Sequence, residues 1–454
     1  MSPAPDKRFY TAPFHQLEAE LRPVLDEFAT GDPLRPRRVV VISSQLREHL
    51  EIAMARGGAL AGVSFHTLGR ISRSAAQPII NQLDKKQLPP LGGEAVARRV
   101  LEEIAPKLGP LRPPVGVEGW GEAAWETYKD LKESELSPES LRAAASGHVK
   151  GEAERLADLA LIAESIHERL VALNLYDETE VLRLAAEALE AAPATVAAPA
   201  GIPTIFYGFA DMNALQRRFA LALCHGAPEG QQCGPLPAAF FVPAEPDTPA
   251  CEFAQPFIDW LESREFTRAE TGPTRRRPLE ALGKSLFSRE SLPAPPVKTA
   301  LKLIAAPSES REAWELSREF FYSDAASPPD ARGEIGLLLP GGDKYPDLFR
   351  EIFRGIGAEA QFGNAGPLAA TLAGRLFLSM IELKPQSYPR RGLMRFLDEC
   401  RFSKSPLFLN EILQAEDEND PPSVDLASKW EYITRPLPYV SSESEWRAAL
   451  GFQA

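Results

Sequence analysis

The chain has 454 residues, 44% of them hydrophobic, and a formal net charge of −13. That length supports about two to four packed domains, and the acidic balance excludes a protein that coats nucleic acid through overall charge, because phosphate is held by Lys and Arg. No stretch approaches the roughly 20 apolar residues of a membrane-spanning helix, and no apolar signal core follows the first eight residues, so a cytoplasmic protein without a membrane partner is expected.

Along the chain, Arg35, Arg37 and Arg38 form a first basic cluster, a local point where DNA contact or plain solvation is expected. Residues 38–42 (Arg-Val-Val-Val-Ile) are β-branched and predict a buried strand. Helical spacing follows at Leu46, Leu50, Ile52 and Met54, and Gly62 to Phe65 predicts a second strand. Strand, helix, strand is the unit of a parallel sheet covered by helices.

From about residue 93 to 192 the pattern turns to Ala-, Leu- and Glu-rich helices, with Leu156, Leu159, Ile162, Ile166 and Leu170 at three- to four-residue spacing. Trp120 and Trp125 in this insert are expected as core anchors. After an Ala- and Pro-rich linker at 191–203, residues 204–209 and 238–242 predict two more buried strands. Cys224, Cys233, Cys251 and Cys400 lack any C-x-x-C pair, so neither a zinc module nor a disulfide framework is signalled, and reduced thiols are expected.

A Pro-, Arg- and Ser-rich stretch at about 263–298, containing Arg275, Arg276 and Arg277, reads as a linker. Strand patterns then return at residues 301–304 and 335–339 around a helix at 310–322, predicting a second α/β domain. Beyond about 368 helices dominate.

Within this plan, the segment Ile205 to Gln216 (I-F-Y-G-F-A-D-M-N-A-L-Q) resembles the superfamily 1 helicase segment L-V-D-E-F-Q-D-T-N-A-L-Q. In that family the Asp-Glu pair holds magnesium and orients the attacking water. The matching positions here are Tyr207 and Gly208, which can do neither. A phosphate-binding loop ending in Gly-Lys-Ser or Gly-Lys-Thr is also absent from the first 40 residues, where Phe14-His15-Gln16-Leu17 and a helix take its expected place.

Weaker likenesses follow the same plan. Ser64-Phe65-His66-Thr67-Leu68 resembles the T-F-H-A-L stretch that faces single-stranded DNA, although His66 fits a structural histidine equally well. Leu175 to Leu182 resembles the element that returns a helical insert to the core, a packing role. The strand at 334–340 lies where active helicases end in an ATP-contacting arginine, and here Pro340 stands. The helix at 345–357, residues 358–362 and Pro367-Leu368 match the continuation. Pro346-Asp347 with Glu382-Leu383-Lys384 formally matches a P-D…(D/E)-x-K nuclease, but on segments expected to be helical.

Taken together, the chain resembles the AddB-type and RecC-type subunits of bacterial double-strand-break resection enzymes: inactivated superfamily 1 helicase bodies, here the N-terminal part without the nuclease domain. The resemblance implies an α/β fold with two RecA-like, P-loop NTPase-type parallel-sheet domains carrying helical insertions. The first domain would comprise residues 1–90 and 196–292, the insertion 91–195, the second domain 296–370, and the start of a second insertion 371–454. It implies no catalytic residue, metal or cofactor in the chain, degenerate ATP-site positions at Tyr207, Gly208 and Pro340, and DNA contacts at His66, Thr67 and Asn213. The expected function is a non-catalytic subunit that guides single-stranded DNA in recombinational repair, beside an AddA- or RecB-like helicase-nuclease partner. Alternatives are the front part of a nuclease whose catalytic domain lies beyond residue 454, and an interaction scaffold without a DNA role.

Overall fold

In a computed structural model the chain divides into two compact units, Met1–Leu301 and Lys302–Ala454. The structure describes residues 7–58, 60–83, 85–114, 119–147, 149–191, 202–225, 237–245, 248–272, 287, 302–322, 336–339, 344–358, 360, 362, 368, 371–383, 388–400, 434–435 and 442–449. No helix among them is long and apolar enough to cross a membrane.

The first unit is built on a six-stranded, wholly parallel sheet. Its strands are β1 (Lys7–Thr11), β2 (Arg37–Val41), β3 (Val63–Thr67), β6 (Thr204–Tyr207), β7 (Ala238–Val242) and β8 (Thr267–Ala269), in the order β3-β2-β6-β7-β1-β8. Because successive side chains leave opposite faces of a strand, each apolar run feeds two cores. Phe9, Val40, Phe206 and Phe240 go to one face, beneath α3 (Leu68–Gln82), α8 (Glu178–Ala191), α9 (Ala214–His225) and α10 (Gln255–Ser263). Tyr10, Val39, Val41, Ile205, Tyr207 and Phe241 go to the other, beneath α1 (Phe14–Phe28) and α2 (Ser44–Arg56). Double coverage is why these strands read as continuous hydrophobic runs.

Two of the strands, β1 and β8, are not evident in the sequence. On α2, Leu50 and Met54 are buried four residues apart while Ile52, two residues off that stripe, is exposed, as the 3.6-residue repeat requires. The basic cluster also differs from expectation. Arg37 is buried, and its guanidinium donates to the carbonyls of Leu25 (2.8 Å), Pro33 (2.7 Å), Arg35 (3.1 Å) and Ala61. Arg38 is buried too, and desolvation lowers its pKa to about 10. Neither is placed to meet a phosphate. Arg275, Arg276 and Arg277 lie outside the described residues.

Between β3 and β6 the chain forms α4 (Gly92–Ile104), α5 (Trp120–Glu133), α6 (Pro138–Ala145) and α7 (Lys150–Ala172). A separate core of Val100, Leu101, Ile104, Trp125, Tyr128, Ile162 and Ile166 joins α4, α5 and α7. The entry and exit of this helical segment are clamped by a two-stranded parallel ladder, β4 (Lys86–Gln87) with β5 (Leu175–Tyr176).

Beside the ladder lies a charge network. Lys132 Nζ donates to both Asp177 oxygens (2.9 and 3.1 Å), and Asp177 Oδ1 accepts from the Glu180 amide (2.6 Å), capping α8. Glu180 accepts from Arg183 (2.8 and 3.0 Å) and Lys85 (3.3 Å). Burial pushes the Glu180 carboxyl up, but the Arg183 hydrogen bond and the charges of Lys132, Arg183 and Lys85 outweigh it and hold the group down from 4.5 to about 2. A depressed carboxyl contributes stability that is present above its unfolded pKa and lost as pH falls toward the folded one. The expected result is a loss on the order of 3 kcal/mol between about pH 4.5 and 2, absent in Glu180→Gln. Urea melts at stepped pH check it: parallel curves for the two proteins would rule the network out.

The described secondary structure of the second unit comprises the helices α11 (Glu309–Tyr322), α12 (Lys344–Ile356), α13 (Leu372–Leu383), α14 (Arg390–Cys400) and α15 (Glu443–Ala449). Phe349 is fully buried, and Phe321 and Phe353 meet edge to face at 5.6 Å, joining α11 to α12. The strands expected at 301–304 and 335–339 are not formed at 302–304 or 336–339, where Leu303 is 94% and Leu338 93% exposed. An apolar run becomes a strand only where another strand completes its ladder, and these described residues have no such pairing. Pro346 and Asp347 lie on α12 and Glu382 and Leu383 on α13, so these members of the nuclease-like spacing fall on helices as expected, while Lys384 lies outside the described residues.

Candidate functional site at the strand ends

In a parallel α/β sheet, ligands bind at the carboxyl ends of the strands. Here only Ala12 and Pro13 separate β1 from α1, too short a link to wrap a phosphate in backbone amides. The first turn of α1 instead approaches the end of β6. Tyr207 is 1% exposed, and its hydroxyl donates to the Phe14 carbonyl at 3.3 Å. Its ring lies 6.3 Å from Phe14 and stacks on Phe241 at 5.6 Å. Burial, with a smaller contribution from Glu18, pushes the phenol pKa up, so the group stays neutral.

Gly208 follows with φ +87°, a left-handed conformation that glycine tolerates. Its amide donates to the Phe241 carbonyl at 2.9 Å, and a Cβ there would stand 2.8 Å from Leu46 Cδ2. The start of α1 and the end of β6 are thus in contact through Phe14 and Tyr207. Pro340 lies outside the described residues.

Two of the three residues expected to touch DNA cap helices. Thr67 Oγ1 accepts from the Arg70 amide at 3.4 Å and caps α3. Asn213 starts α9 in a reciprocal capping box: its side-chain oxygen accepts from the Gln216 amide (2.8 Å) and its own amide donates to Gln216 Oε1 (3.2 Å). Its side-chain nitrogen donates to Glu133 at 2.9 Å. His66 has its pKa lowered, first by burial and then by Arg70, Arg38 and Arg47, so it brings no charge to a phosphate at neutral pH.

Two grooves meet at Thr67, Gly69, Ser72 and Glu178. The first, of about 810 Å³, lies between α4, α5 and the strand ends. Among the described residues, Thr67 and Asn213 line it together with six carboxylates and one cation, Lys129. The second, of about 860 Å³, runs along α3 and is lined by Arg70, Arg73, Ser74, Gln77 and Asn81. These five exposed residues recur at helical spacing, a donor-rich stripe that was visible in the sequence but not singled out. Cys224 is buried, and burial pushes its thiol up to about 12, the setting of an inert structural cysteine. Cys233 lies outside the described residues.

Fold and site together define a parallel-sheet α/β protein in which aromatic side chains fill the end of β6 beside α1. No family model matches the chain, and no curated protein matches it.

Proposed function

We propose that this chain is a helicase-like body that works without ATP, holding single-stranded DNA within a helicase-nuclease assembly for recombinational repair. The observation that supports this reading is the Tyr207–Phe14 contact, which joins the start of α1 to the end of β6, the two places where a RecA-like domain would hold ATP phosphates and magnesium. The six-stranded parallel sheet interrupted by a helical insert supports a RecA-like reading of the first unit. A second RecA-like domain from about residue 296 belongs to the same proposal. DNA contact is assigned to the α3 stripe, where Arg70 and Arg73 meet phosphates and Ser74, Gln77 and Asn81 offer further donors.

Anisotropy of a labelled oligo(dT), with and without ATP and magnesium, tests this. The expected result is binding that weakens with salt and ignores nucleotide. Replacing Arg70 and Arg73 together by Ala lowers the slope of log K against log salt by about 1.4, at about 0.7 per phosphate contact on a single strand. ATP hydrolysis by the unmodified chain, or oligo(dT) binding unchanged in the double variant, would defeat the proposal.

A further inference from the structure

We propose that the groove between α4, α5 and the strand ends docks an amphipathic segment of a partner protein carrying Lys or Arg. One side of its wall is apolar, formed by Leu88, Leu182, Phe209 and Trp125, and at its lip Leu91 is 75% and Ile42 52% exposed. Leu91 is held in a left-handed conformation, φ 61°, which leucine seldom adopts. Covering this wall removes apolar area from water, the main drive of association.

The charges on the rim decide what can cover it. Asp177 is answered by Lys132, Glu178 by Arg73, Asp211 by Arg217 and Glu126 by Lys129. Glu94 and Glu133 have no cation among the described residues; Glu133 accepts only the neutral Asn213 amide, and Glu94 has only the first turn of α4 to favour it. A segment seated on the apolar wall takes water from both carboxylates, and a buried unpaired charge is costly. A Lys or Arg on the segment restores the lost interaction. A neutral segment does not, and the phosphates of a nucleic acid oppose it. At about 810 Å³ the groove suits a short segment and not a folded domain.

This inference is independent of the ATP-site reading and of DNA binding on α3. Its test is anisotropy of a short fluorescein-labelled helical peptide of Leu and Lys, with a Gln-for-Lys counterpart and an unlabelled oligo(dT) competitor. The Leu/Lys peptide is expected to bind the full chain saturably, and the Gln counterpart about tenfold more weakly. Glu94→Gln with Glu133→Gln weakens the Leu/Lys peptide by a similar factor. Leu91→Asn, a residue that tolerates left-handed backbone, weakens it without lowering the Tm. Glu168→Lys on the exposed face of α7, outside the groove, leaves binding unchanged. Absence of binding, equal binding of the Gln peptide, an equal loss in Glu168→Lys, or displacement by oligo(dT) that persists when Arg70 is replaced by Ala to weaken DNA binding on α3 would each overturn the proposal. Intact peptide binding in a chain that fails to bind oligo(dT) would leave this inference standing while the DNA-holding reading fell.

Discussion

Placing an Asp-Glu pair at the end of β6, as Tyr207→Asp with Gly208→Glu, yields a chain that gains no ATPase activity and loses much of its stability. Removing a fully buried aromatic ring costs about 3–5 kcal/mol through lost burial and the cavity left behind. The new carboxylate would sit among Tyr10, Phe241 and Phe14, where an unpaired charge is costly and the group protonates instead. A side chain at position 208 adds two further penalties. The left-handed backbone costs roughly 1–2 kcal/mol for a residue with a Cβ, and that Cβ meets Leu46 Cδ2 at 2.8 Å. Against a typical total of about 5–15 kcal/mol, a Tm lower by about 10 °C or more is expected, or insoluble expression. Circular dichroism melts with a coupled ATPase assay decide it: a double variant that keeps its Tm and hydrolyses ATP would mean that the strand ends retain a nucleotide site.

Tyr207→Phe separates hydroxyl from ring. It keeps the packing and removes only the bond to the Phe14 carbonyl, so a cost of about 1 kcal/mol is expected.

Gly93→Ala is the second large effect, and it acts on the helical segment. Its Cβ would lie 2.1 to 2.5 Å from three atoms of the Trp125 indole, a buried ring that also packs against Tyr128 at 5.5 Å. Both rings belong to the core shared by α4, α5 and α7. Overpacking of this kind costs about 1–3 kcal/mol and sometimes more, whereas the gain from replacing a helical glycine by alanine is at most about 1 kcal/mol. Net destabilisation follows. Trp125→Ala alone costs about 3–5 kcal/mol, yet Gly93→Ala added to it should cost nothing further, because the clash has gone. Denaturant melts of the four proteins measure that coupling; additive losses would show that the glycine and the indole do not oppose each other. Trp125 also forms part of the groove wall, so Trp125→Ala removes an apolar surface of the docking site as well.

Some of this architecture could be read from residues 38–42, 204–207 and 238–242. Their β-branched and aromatic runs are long enough to fill both faces of a covered sheet, and that pattern needs no knowledge of neighbours. The repeat at Ile162, Ile166 and Leu170 on α7 is of the same kind, since helical spacing sorts residues by face within one element. The absence of an Asp-Glu pair at this strand end was equally plain, because Tyr207 and Gly208 carry no carboxylate whatever the fold.

Other features depend on what lies alongside. Lys7–Thr11 is short and begins with two cations, yet it is a strand because β7 and β8 complete its ladder on both sides. Residues 302–304 and 336–339 are more apolar, yet they form no strand because no ladder reaches them. Arg37 and Arg38 resemble a surface basic patch, but sheet pairing places them beneath covering elements, where carbonyls from four other positions satisfy Arg37. The aromatic contact at the end of β6 is of this second kind. Composition determined that no metal carboxylates stand at positions 207 and 208; only the parallel sheet, bringing together residues 193 positions apart in the chain, decided that the Tyr207 hydroxyl closes onto the Phe14 carbonyl. Side-chain chemistry is local, whereas a contact between distant segments exists only once the chain has folded.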